Sequence, residues 1–458
     1  MAIASLALNS RNLPPQLTLR DQPAHHGGEG SVYITTDGKY AVKIYHHPTP
    51  EKRTLLNQVL DLGRNLGEDE IFLAWPLGIV EQLDNQAAVG VVTRCVPSTH
   101  VPLYRLIFSP VVAVEQFRQG RSWLNYLKMA RGTAAAVRTI HGKGMAHADI
   151  HLKNFLANPE SGEVVLIDLD GLVVRGFLPP QVKGMLGFIA PEVMMNIAQP
   201  SELTDRHSAA VLILWTLLLR NVMMTQTCFD PDDQQHDDEL GYGEFACFSE
   251  HPTERRNWNQ QIGTPLFRKG SLSYRALTPK LQSLTEKALI EGLHEPPKRP
   301  QVVEWERALA EAYDVLITCP SCRQTFIYPY WLQPPPRRQC PFCGANTRAP
   351  FPAVLELLEA RAKGSLVLLR TVVLYHGLPL SADVIEPTRF PPFTRREVPV
   401  IGQTVWDAKE GIYRLTNSED TSWLLPTGER IRRGESVALR KGTMIKFGDN
   451  KRVMRVVE

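Results

Sequence analysis

The sequence predicts an α+β chain in which a small β lobe precedes a larger helical lobe, with two further domains behind them. Strand-like runs come first, at residues 31–34, 39–45, 71–80 and 88–96, and helical apolar spacing follows from Leu124 to His141. Strands followed by helices are typical of α+β folds. Repeated strand patterns return after residue 365, with turns at Thr427-Gly428 and Lys441-Gly442, and predict an all-β, sandwich-like C-terminal domain.

The length and composition limit the function classes. The 458 residues allow about three domains at roughly 150 residues each. A hydrophobic content of 43% with 22% charged residues excludes a wholly disordered chain, and a net charge of +3 gives no reason to expect nucleic acid as a partner. The longest apolar stretch, Ala209–Leu219, is shorter than the roughly 20 residues that span a bilayer, so we expect a buried helix there. The start of the chain lacks the basic region of a signal peptide, and a cytoplasmic protein without membrane contact is expected.

Glycines and a lysine in the β lobe indicate a phosphate site. Gly27, Gly28 and Gly30 lie between strand patterns, where glycine lets the backbone approach a phosphate closely. A plain glycine turn is the alternative. Lys43 follows within an apolar strand, where its ammonium needs an anion such as a nucleotide phosphate, unless it points to water from an edge strand.

Carboxylates and an amide follow the long helix. Asp149 and Asn154 are five residues apart in a predicted loop, and Asp168 ends an apolar strand. Such groups can hold Mg²⁺ on a triphosphate while another carboxylate accepts a proton from an attacking hydroxyl. Farther on, Glu192 closes the sequence Ala190-Pro191-Glu192.

In this order, these motifs resemble a protein kinase over roughly residues 20 to 315. The resemblance implies a two-lobed fold and phosphoryl transfer from ATP with Mg²⁺. It implies that Asp149 is the catalytic base, that Asn154 and Asp168 hold the metal, and that Lys43 holds the α- and β-phosphates. The glycine loop would cover the phosphates, and the linker near residues 93–96 would meet adenine, with the binding residues Arg94 and Val96. Two scaffold positions also match, Asp205 beneath the catalytic loop and Arg299 as the partner of Glu192.

The kinase pattern also requires a glutamate that pairs with Lys43. Glu51 shares a helix face with Leu55 and Val59 and is the expected partner and third catalytic residue, with Asp61 and Glu68 as rivals. Departures from the pattern include His25, Ala148, His151 and Met185, and a displaced Gly171 that makes Asp170 a rival metal ligand. The alternative function is therefore an inactive nucleotide-binding pseudokinase that serves as a scaffold.

One bacterial subgroup matches more closely. The runs Gly144–Leu156, Ile167–Gly171, Gly187–Val193 and Glu250-His251-Pro252 resemble the kinases of the tellurite-resistance-associated phosphorylation triad. The resemblance implies a signalling kinase of the serine/threonine type that acts on a protein substrate. Its implied partners are a von Willebrand factor A-domain protein and a metal-dependent protein phosphatase.

Four of the seven cysteines form two C-x2-C pairs, which are Cys319 with Cys322 and Cys340 with Cys343. Four thiolates aimed at one point complete a closed tetrahedral Zn²⁺ site, so a structural zinc ribbon is predicted. We place the domain boundaries at 15–315 for the kinase-like domain, 316–350 for the ribbon and 360–458 for the β domain. An amphipathic helix is expected between the last two, at Val354, Leu355, Leu357 and Leu358.

The C-terminal segment carries a second resemblance. Tyr413–Asn417, Gly434–Leu439 and Gly442–Gly448 resemble the second half of a forkhead-associated domain, a family that binds phosphothreonine. The segment Ile401-Gly402-Gln403 lacks the arginine usual there. The resemblance therefore implies the fold more than phosphopeptide binding.

Overall fold

The computed structural model is a mixed α/β chain with several sheets. It describes residues 2–7, 10, 12–63, 71–174, 184–332, 338–361, 365–386, 398–448 and 451–458. The chain divides into two compact units. The first comprises residues 1–121, 125–259 and 283–306, and the second comprises residues 122–124, 260–282 and 307–458.

A seven-stranded antiparallel sheet opens the first unit, in the spatial order β2-β1-β6-β7-β5-β4-β3. Its strands are β1 (Ile3–Leu6), β2 (Gln16–Thr18), β3 (His25–His26), β4 (Gly30–Ile34), β5 (Tyr40–Tyr45), β6 (Gly78–Leu83) and β7 (Gln86–Arg94). The four predicted strand runs are present, although the third begins only at Gly78 rather than at residue 71. β1 lies ahead of residue 15, where the first domain is predicted to begin.

Both faces of this sheet are covered. The neighbouring residues of the pairs Ile79–Val80 and Val91–Val92 are buried in different clusters, because side chains alternate between the faces of a strand. One member of each pair packs with residues of β1 and β2, and the other packs with Leu56 and Leu60 of helix α1 (Pro50–Leu62). The hydroxyl of Thr49, the N-cap residue of α1, accepts a hydrogen bond from the backbone N–H of Lys52 in the first turn.

Helices dominate the rest of the first unit. They are α2 (Tyr104–Ile107), α3 (Pro110–Arg118), α4 (Trp123–His141), α5 (Pro191–Met194), α6 (Glu202–Leu218) and α7 (Gln234–Glu239). Unit boundaries fall within α4 and also within α8 (Pro279–Glu286) and α9 (Val302–Ala312). A small sheet in the order β10-β9-β8 consists of β8 (Val101–Pro102), β9 (Phe155–Ala157) and β10 (Val164–Leu166). α4 and the buried α6 confirm two predicted helices. None of the helices in the described part of the chain has the length and apolarity to cross a bilayer.

The second unit contains a hairpin and two larger sheets. Its strands are β11 (Leu316–Thr318), β12 (Thr325–Ile327), β13 (Ala353–Ala360), β14 (Leu366–Leu374), β15 (Pro379–Ser381), β16 (Val400–Asp407), β17 (Ile412–Asn417), β18 (Trp423–Leu424), β19 (Arg430–Ile431), β20 (Ser436–Ala438), β21 (Met444–Phe447) and β22 (Arg452–Val456), with one short helix, α10 (Ala382–Ile385). One sheet has the order β14-β13-β22-β21-β18-β19 and the other β15-β16-β17-β20. Residues from both sheets form one apolar core around Trp423, as a sandwich requires.

The prediction of an amphipathic helix at Val354–Leu358 is wrong. These residues belong to β13, which pairs with β14 on one side and with β22 on the other. A strand in the middle of a sheet can be buried on both faces, and its continuous apolar run is then indistinguishable by period from a buried helix. Pairing on both edges decides for the strand here. Glu356 lies opposite Arg455 in the register, and their side chains form an ion pair.

The buried side chain of Arg338 links the predicted ribbon segment to Glu458, which follows strand β22. The Arg338 guanidinium donates to both carboxylate oxygens of Glu458 at 2.7 Å, and also to the carbonyls of Leu332 and Tyr330 at 3.0 Å. It also donates to the hydroxyl of Tyr328, whose ring it covers. The side chain of Arg338 is wholly buried, so its charge depends on these partners.

Candidate functional site

An apolar cavity of about 220 Å³ lies in the first unit. Its walls come from strands β4, β5, β7 and β9 and from connecting segments. They are Val32, Ile34, Ala41, Ala74, Pro76, Val91, Thr93, Leu156, Ile167 and Leu169. Arg94, Cys95 and Val96 border it where β7 ends, while Lys43 and Asp168 supply its charged groups. Arg94 and Val96, predicted from the linker position, are therefore brought to the same cavity as Lys43 and Asp168. A mainly apolar cavity with few charged groups is typical of a small-molecule site.

Lys43 contacts two carboxylates. Its Nζ donates to Asp168 Oδ1 at 2.6 Å and lies 3.5 Å from Glu29 Oε2. Lys43 projects from β5 opposite Val32 of β4, so the β4–β5 hairpin fixes its position. Asp168 has a left-handed backbone, with φ of 63°, at the start of a single 3-10 turn. The structure thus brings together a lysine and an aspartate that are 125 residues apart in the sequence.

The expected pairing of Lys43 with Glu51 is not found among the contacts of the described residues. Glu51 is exposed in the first turn of α1, where its own backbone N–H and the hydroxyl of Thr49 lower the pKa of its carboxyl. Lys52 turns inward instead, with its Nζ 4.7 Å from the ring centroid of Tyr45. Consecutive helical residues project about 100° apart, so only one of the two can face Tyr45. Of the rivals, Asp61 is exposed in the last turn of α1, and Glu68 lies outside the described residues.

Asp149 is held by two side chains of its own loop. The Lys153 N–H donates to His151 Nδ1 at 3.1 Å, so the ring carries a proton on Nε2 and donates it to Asp149 Oδ2 at 3.1 Å. Asn154 Nδ2 donates to the backbone oxygen and to Oδ2 of Asp149, at 2.9 and 3.1 Å. Burial would raise the pKa of the Asp149 carboxyl, but the hydrogen bond and charge of His151, with smaller contributions from His147 and Asn154, lower it overall. The carboxylate is therefore ionised and able to accept a proton.

Asn154 and Asp168 suit a hard cation. Both Asn154 Nδ2 contacts go to Asp149, which leaves the amide oxygen as the atom that can face a metal. The second carboxylate oxygen of Asp168 is likewise distinct from the one that meets Lys43. Carboxylate and amide oxygens are ligands of Mg²⁺, so these residues fit the predicted role. The side chain of the rival Asp170 lies outside the described structure.

Asp205 fixes the start of the Asp149 loop from within α6. Its buried carboxylate accepts from the His147 N–H at 2.6 Å and from the Ala148 N–H at 3.0 Å. It also lies 3.2 Å from His141 Nε2 at the end of α4. Ala148 has φ of 67°, a strained backbone for a residue with a Cβ. The two charge-assisted hydrogen bonds of Asp205 hold that strained turn in place.

Glu192 and Arg299 form the pair expected from the sequence. Arg299 Nη1 and Nη2 donate to the two Glu192 oxygens at 2.7 and 2.8 Å. The remaining donors reach the carbonyls of Gly292, Leu203 and Leu293 at 2.8, 3.0 and 2.8 Å. All five N–H groups of the guanidinium are therefore satisfied inside the protein.

The glycines of the turn between β3 and β4 differ in how closely other atoms surround them. The Gly27 N–H donates to the Gly30 carbonyl at 2.9 Å, which closes the turn between β3 and β4. A Cβ at Gly30 would lie 2.5 Å from the Ile44 carbonyl oxygen, so only glycine fits against β5. Nothing lies within 4 Å of a Cβ placed at Gly28. Gly30 is thus required by packing alone, whereas Gly28 faces open space.

The four predicted zinc ligands come together. Their four Sγ atoms lie within 4.8 Å of one another, and the Cys319–Cys343 and Cys322–Cys340 pairs are each 3.7 Å apart. A tetrahedron with Zn–S bonds of about 2.3 Å has edges of about 3.8 Å, so the spacing fits a zinc site. A disulfide needs about 2.05 Å and is excluded. Burial raises the pKa of the Cys322 thiol to about 12 and raises that of Cys340 as well, so metal binding must displace protons.

The two halves of this cluster have the same backbone. The N–H groups of Cys319 and Cys340 donate to carbonyls five residues on, at 2.8 and 2.9 Å. Their carbonyls accept from the N–H groups of Arg323 and Gly344, at 2.9 and 2.8 Å. Arg323 and Gly344 both have positive φ, 62° and 77°. Each C-x2-C pair therefore forms the same tight turn, which the two flanking strands β11 and β12 support in the first half.

Comparison with known proteins gives a distant similarity to kinases. The protein kinase YegI of Escherichia coli strain K12 is 25% identical over 218 residues, which are 44% of this chain and 32% of that protein. Protein kinase YegI of Escherichia coli O157:H7 is 26% identical over 207 residues, 42% of this chain and 30% of that protein. The match spans about a third of the length of these curated relatives. No family model matches the chain. The similarity supports a kinase-like chain.

Sequence reasoning missed three residues near Lys43, which are Glu29, Tyr45 and Lys52. The carboxylate of Glu29 lies 3.5 Å from Lys43 Nζ, and the ring of Tyr45 lies beside the ammonium groups of both lysines. Glu29 lies within the glycine motif, and Tyr45 ends the strand that contains Lys43. Lys52 stands beside Glu51, and only the rotation of α1 distinguishes them. The Pro50 start and the Thr49 cap predict where this helix begins, but they do not determine which face meets the sheet.

Proposed function

We propose that the chain is an ATP- and Mg²⁺-dependent protein kinase that transfers the γ-phosphate to a protein hydroxyl. The observation that carries the proposal is the ion pair between Lys43 and Asp168 beside an apolar cavity, with Asp149 oriented by His151 and Asn154. The distant similarity to protein kinase YegI supports the same class of function.

Each group has a role in an in-line displacement. The apolar walls would receive the base of the nucleotide, and Lys43 would hold its phosphates. Asp149 would accept the proton of the substrate hydroxyl as the oxygen–phosphorus bond forms and the bond to the β-phosphate oxygen breaks, with ADP as the leaving group. Asn154 and Asp168 would hold Mg²⁺, which would supply stabilisation of the charge on the phosphates. His151 keeps Asp149 ionised and oriented.

The finer parts of the proposal rest on the sequence resemblance. We infer a serine/threonine-type bacterial signalling kinase of the cytoplasm. Its protein partners would be a von Willebrand factor A-domain protein and a metal-dependent phosphatase of the same cluster. The zinc ribbon and the forkhead-associated-like β domain would recruit substrates. No disulfide joins any of the seven cysteines, all of which lie among the described residues, in keeping with a reducing compartment.

Transfer of labelled phosphate from ATP tests the proposal. The wild-type protein and the Asp149→Asn variant would each be tested for phosphorylation of the chain itself and of the proposed phosphatase and A-domain pair. We expect a fall of about 10²- to 10⁴-fold in rate, because a positioned base is lost, with ATP binding retained. Asp37→Asn, at an exposed turn of the same unit, is the matched control. Phosphoamino-acid analysis then identifies the acceptor hydroxyl. ATP binding without any transfer by the wild type would indicate the scaffold function instead.

A further inference from the structure

The first turn of helix α4 finds hydrogen-bond acceptors in the predicted ribbon segment. The backbone N–H of Trp123 donates to Gln324 Oε1 at 3.1 Å. The backbone N–H of Leu124 donates to Thr325 Oγ1 at 2.9 Å and to Ser122 Oγ at 3.2 Å. The first N–H groups of a helix have no partner within the helix itself. Gln324 and Thr325 therefore cap α4 from a segment about 200 residues farther along the chain.

The turn of the first C-x2-C pair determines where these two capping residues lie. The Cys319 N–H donates to the Gln324 carbonyl at 2.8 Å, and Thr325 pairs with Thr318 in the β11–β12 hairpin. Zinc on four thiolates would hold this turn closed, because two of the four come from it. The ribbon segment is shorter than the roughly 40 residues below which a domain usually needs a metal, disulfides or a partner to fold. We therefore expect the position of the cap to depend on zinc.

The second C-x2-C pair packs on the same turn of α4. Phe342 lies between Cys340 and Cys343, and its ring is 62° from the plane of the Trp123 ring, with the two centroids 6.3 Å apart. Both side chains are buried. Edge-to-face aromatic pairs at this separation attract each other. Both halves of the cysteine cluster thus contact the start of α4.

The capped turn of α4 in its turn supports a wall of the apolar cavity. Asn125, the third residue of α4, donates through Nδ2 to the carbonyls of Pro159 and Glu160 at 2.8 and 2.9 Å. Pro159 and Glu160 belong to the connection between β9 and β10. Strand β9 begins directly after Asn154 and contains Leu156, which lines the cavity. Fraying of the first turn of α4 would release these two hydrogen bonds.

We propose that the ribbon is a zinc-dependent cap of α4, through which zinc occupancy controls the order of the β9–β10 connection beside the cavity. Gln324 and Thr325 are positioning residues, because they contact the backbone of α4 rather than a substrate. The inference goes beyond the proposed kinase function and does not depend on it, since it concerns local order and not phosphate transfer.

Hydrogen–deuterium exchange of the full chain, measured by mass spectrometry, tests the cap. Peptides that span residues 118–130 report on the start of α4, and peptides that span residues 155–165 report on the β9–β10 connection. The double variant Gln324→Met with Thr325→Val keeps the size of both side chains and all four cysteines. With one zinc bound per chain, it should exchange about twofold to thirtyfold faster than wild type in both segments, the range that corresponds to losing a helix cap.

Two further samples complete the experiment. Removing zinc from the wild type with a chelator should speed exchange in both segments at least as much as the double variant does. Ser321→Ala is the matched control, because Ser321 is exposed in the same turn of the ribbon, and it should exchange at the wild-type rate. Thr325→Val alone replaces the double variant if the double variant does not retain zinc.

Three results would overturn the inference. The first is wild-type exchange at the start of α4 in a capping variant that binds one zinc, whatever the effect of the chelator. The second is faster exchange at the start of α4 with an unchanged rate in the β9–β10 connection, which would refute control of the cavity wall. The third is equal exchange of the wild type with and without zinc. Each of these results leaves the kinase proposal in place, because none of them measures phosphate transfer.

Discussion

Replacing Arg299 with Met should lower the free energy of unfolding by about 3–5 kcal/mol, the range for removing one partner of a buried ion pair. The Arg299 side chain is 0% exposed and that of Glu192 12%, so water cannot readily replace the lost donors. The substitution leaves the Glu192 carboxylate and three backbone carbonyls without the hydrogen bonds that Arg299 provides. Such a loss is a large share of a typical stability of about 5–15 kcal/mol.

Urea denaturation followed by tryptophan fluorescence measures the change. Lys298→Met is the control, because the neighbouring Lys298–Glu295 pair is 51% and 61% exposed and should contribute no more than about 0.5 kcal/mol. The double variant Arg299→Met with Glu192→Met should be more stable than Arg299→Met alone, because no unpaired buried charge remains. A double variant that loses the sum of the two single effects would refute this reasoning. So would an Arg299→Met variant no less stable than the control.

Three further outcomes are expected. Glu29→Gln should tighten ATP binding by up to about fivefold in calorimetry, since an exposed carboxylate competing for Lys43 contributes at most about 1 kcal/mol; weaker binding would contradict this. His151→Ala should move the acid limb of the kcat/KM profile to higher pH, because the hydrogen bond that lowers the pKa of Asp149 is lost and the base protonates sooner as pH falls; an unmoved limb would argue against that role. Zinc analysis of the purified chain should find one Zn²⁺, which Cys319→Ser loses together with thermal stability of the ribbon; full zinc retention would count against the four-cysteine site.

The sequence predicts best where distant residues have fixed chemical partners. Asp205 and Arg299 match scaffold positions of the kinase pattern, and the structure shows their expected contacts with the Asp149 loop and with Glu192. The four cysteines also meet as their spacing predicts. In each case a charged, polar or thiol group has few stable alternatives once it is buried.

Sequence-based prediction is weaker where only the packing of neighbouring elements determines the conformation or orientation of a segment. The rotation of α1 about its axis turns Lys52 rather than Glu51 toward the ring of Tyr45, and a cap motif does not determine that rotation. The apolar run at residues 353–360 fits a helix by its period, but its two neighbouring strands come from residues far along the chain. β1 carries too few residues to show a pattern before it pairs in the sheet. These features depend on neighbours that a local window of sequence does not contain.

The central position of β13 has a consequence for synthesis of the protein. β14 follows β13 closely, but the strand on its other edge is β22, and Arg455 is made 99 residues after its partner Glu356. At a translation rate of about 5–20 residues per second, β13 waits about 5–20 s for its second neighbour. During that interval its open edge presents unpaired backbone groups to other chains. A ribosome that pauses within these residues therefore lengthens the period in which this domain is prone to aggregate.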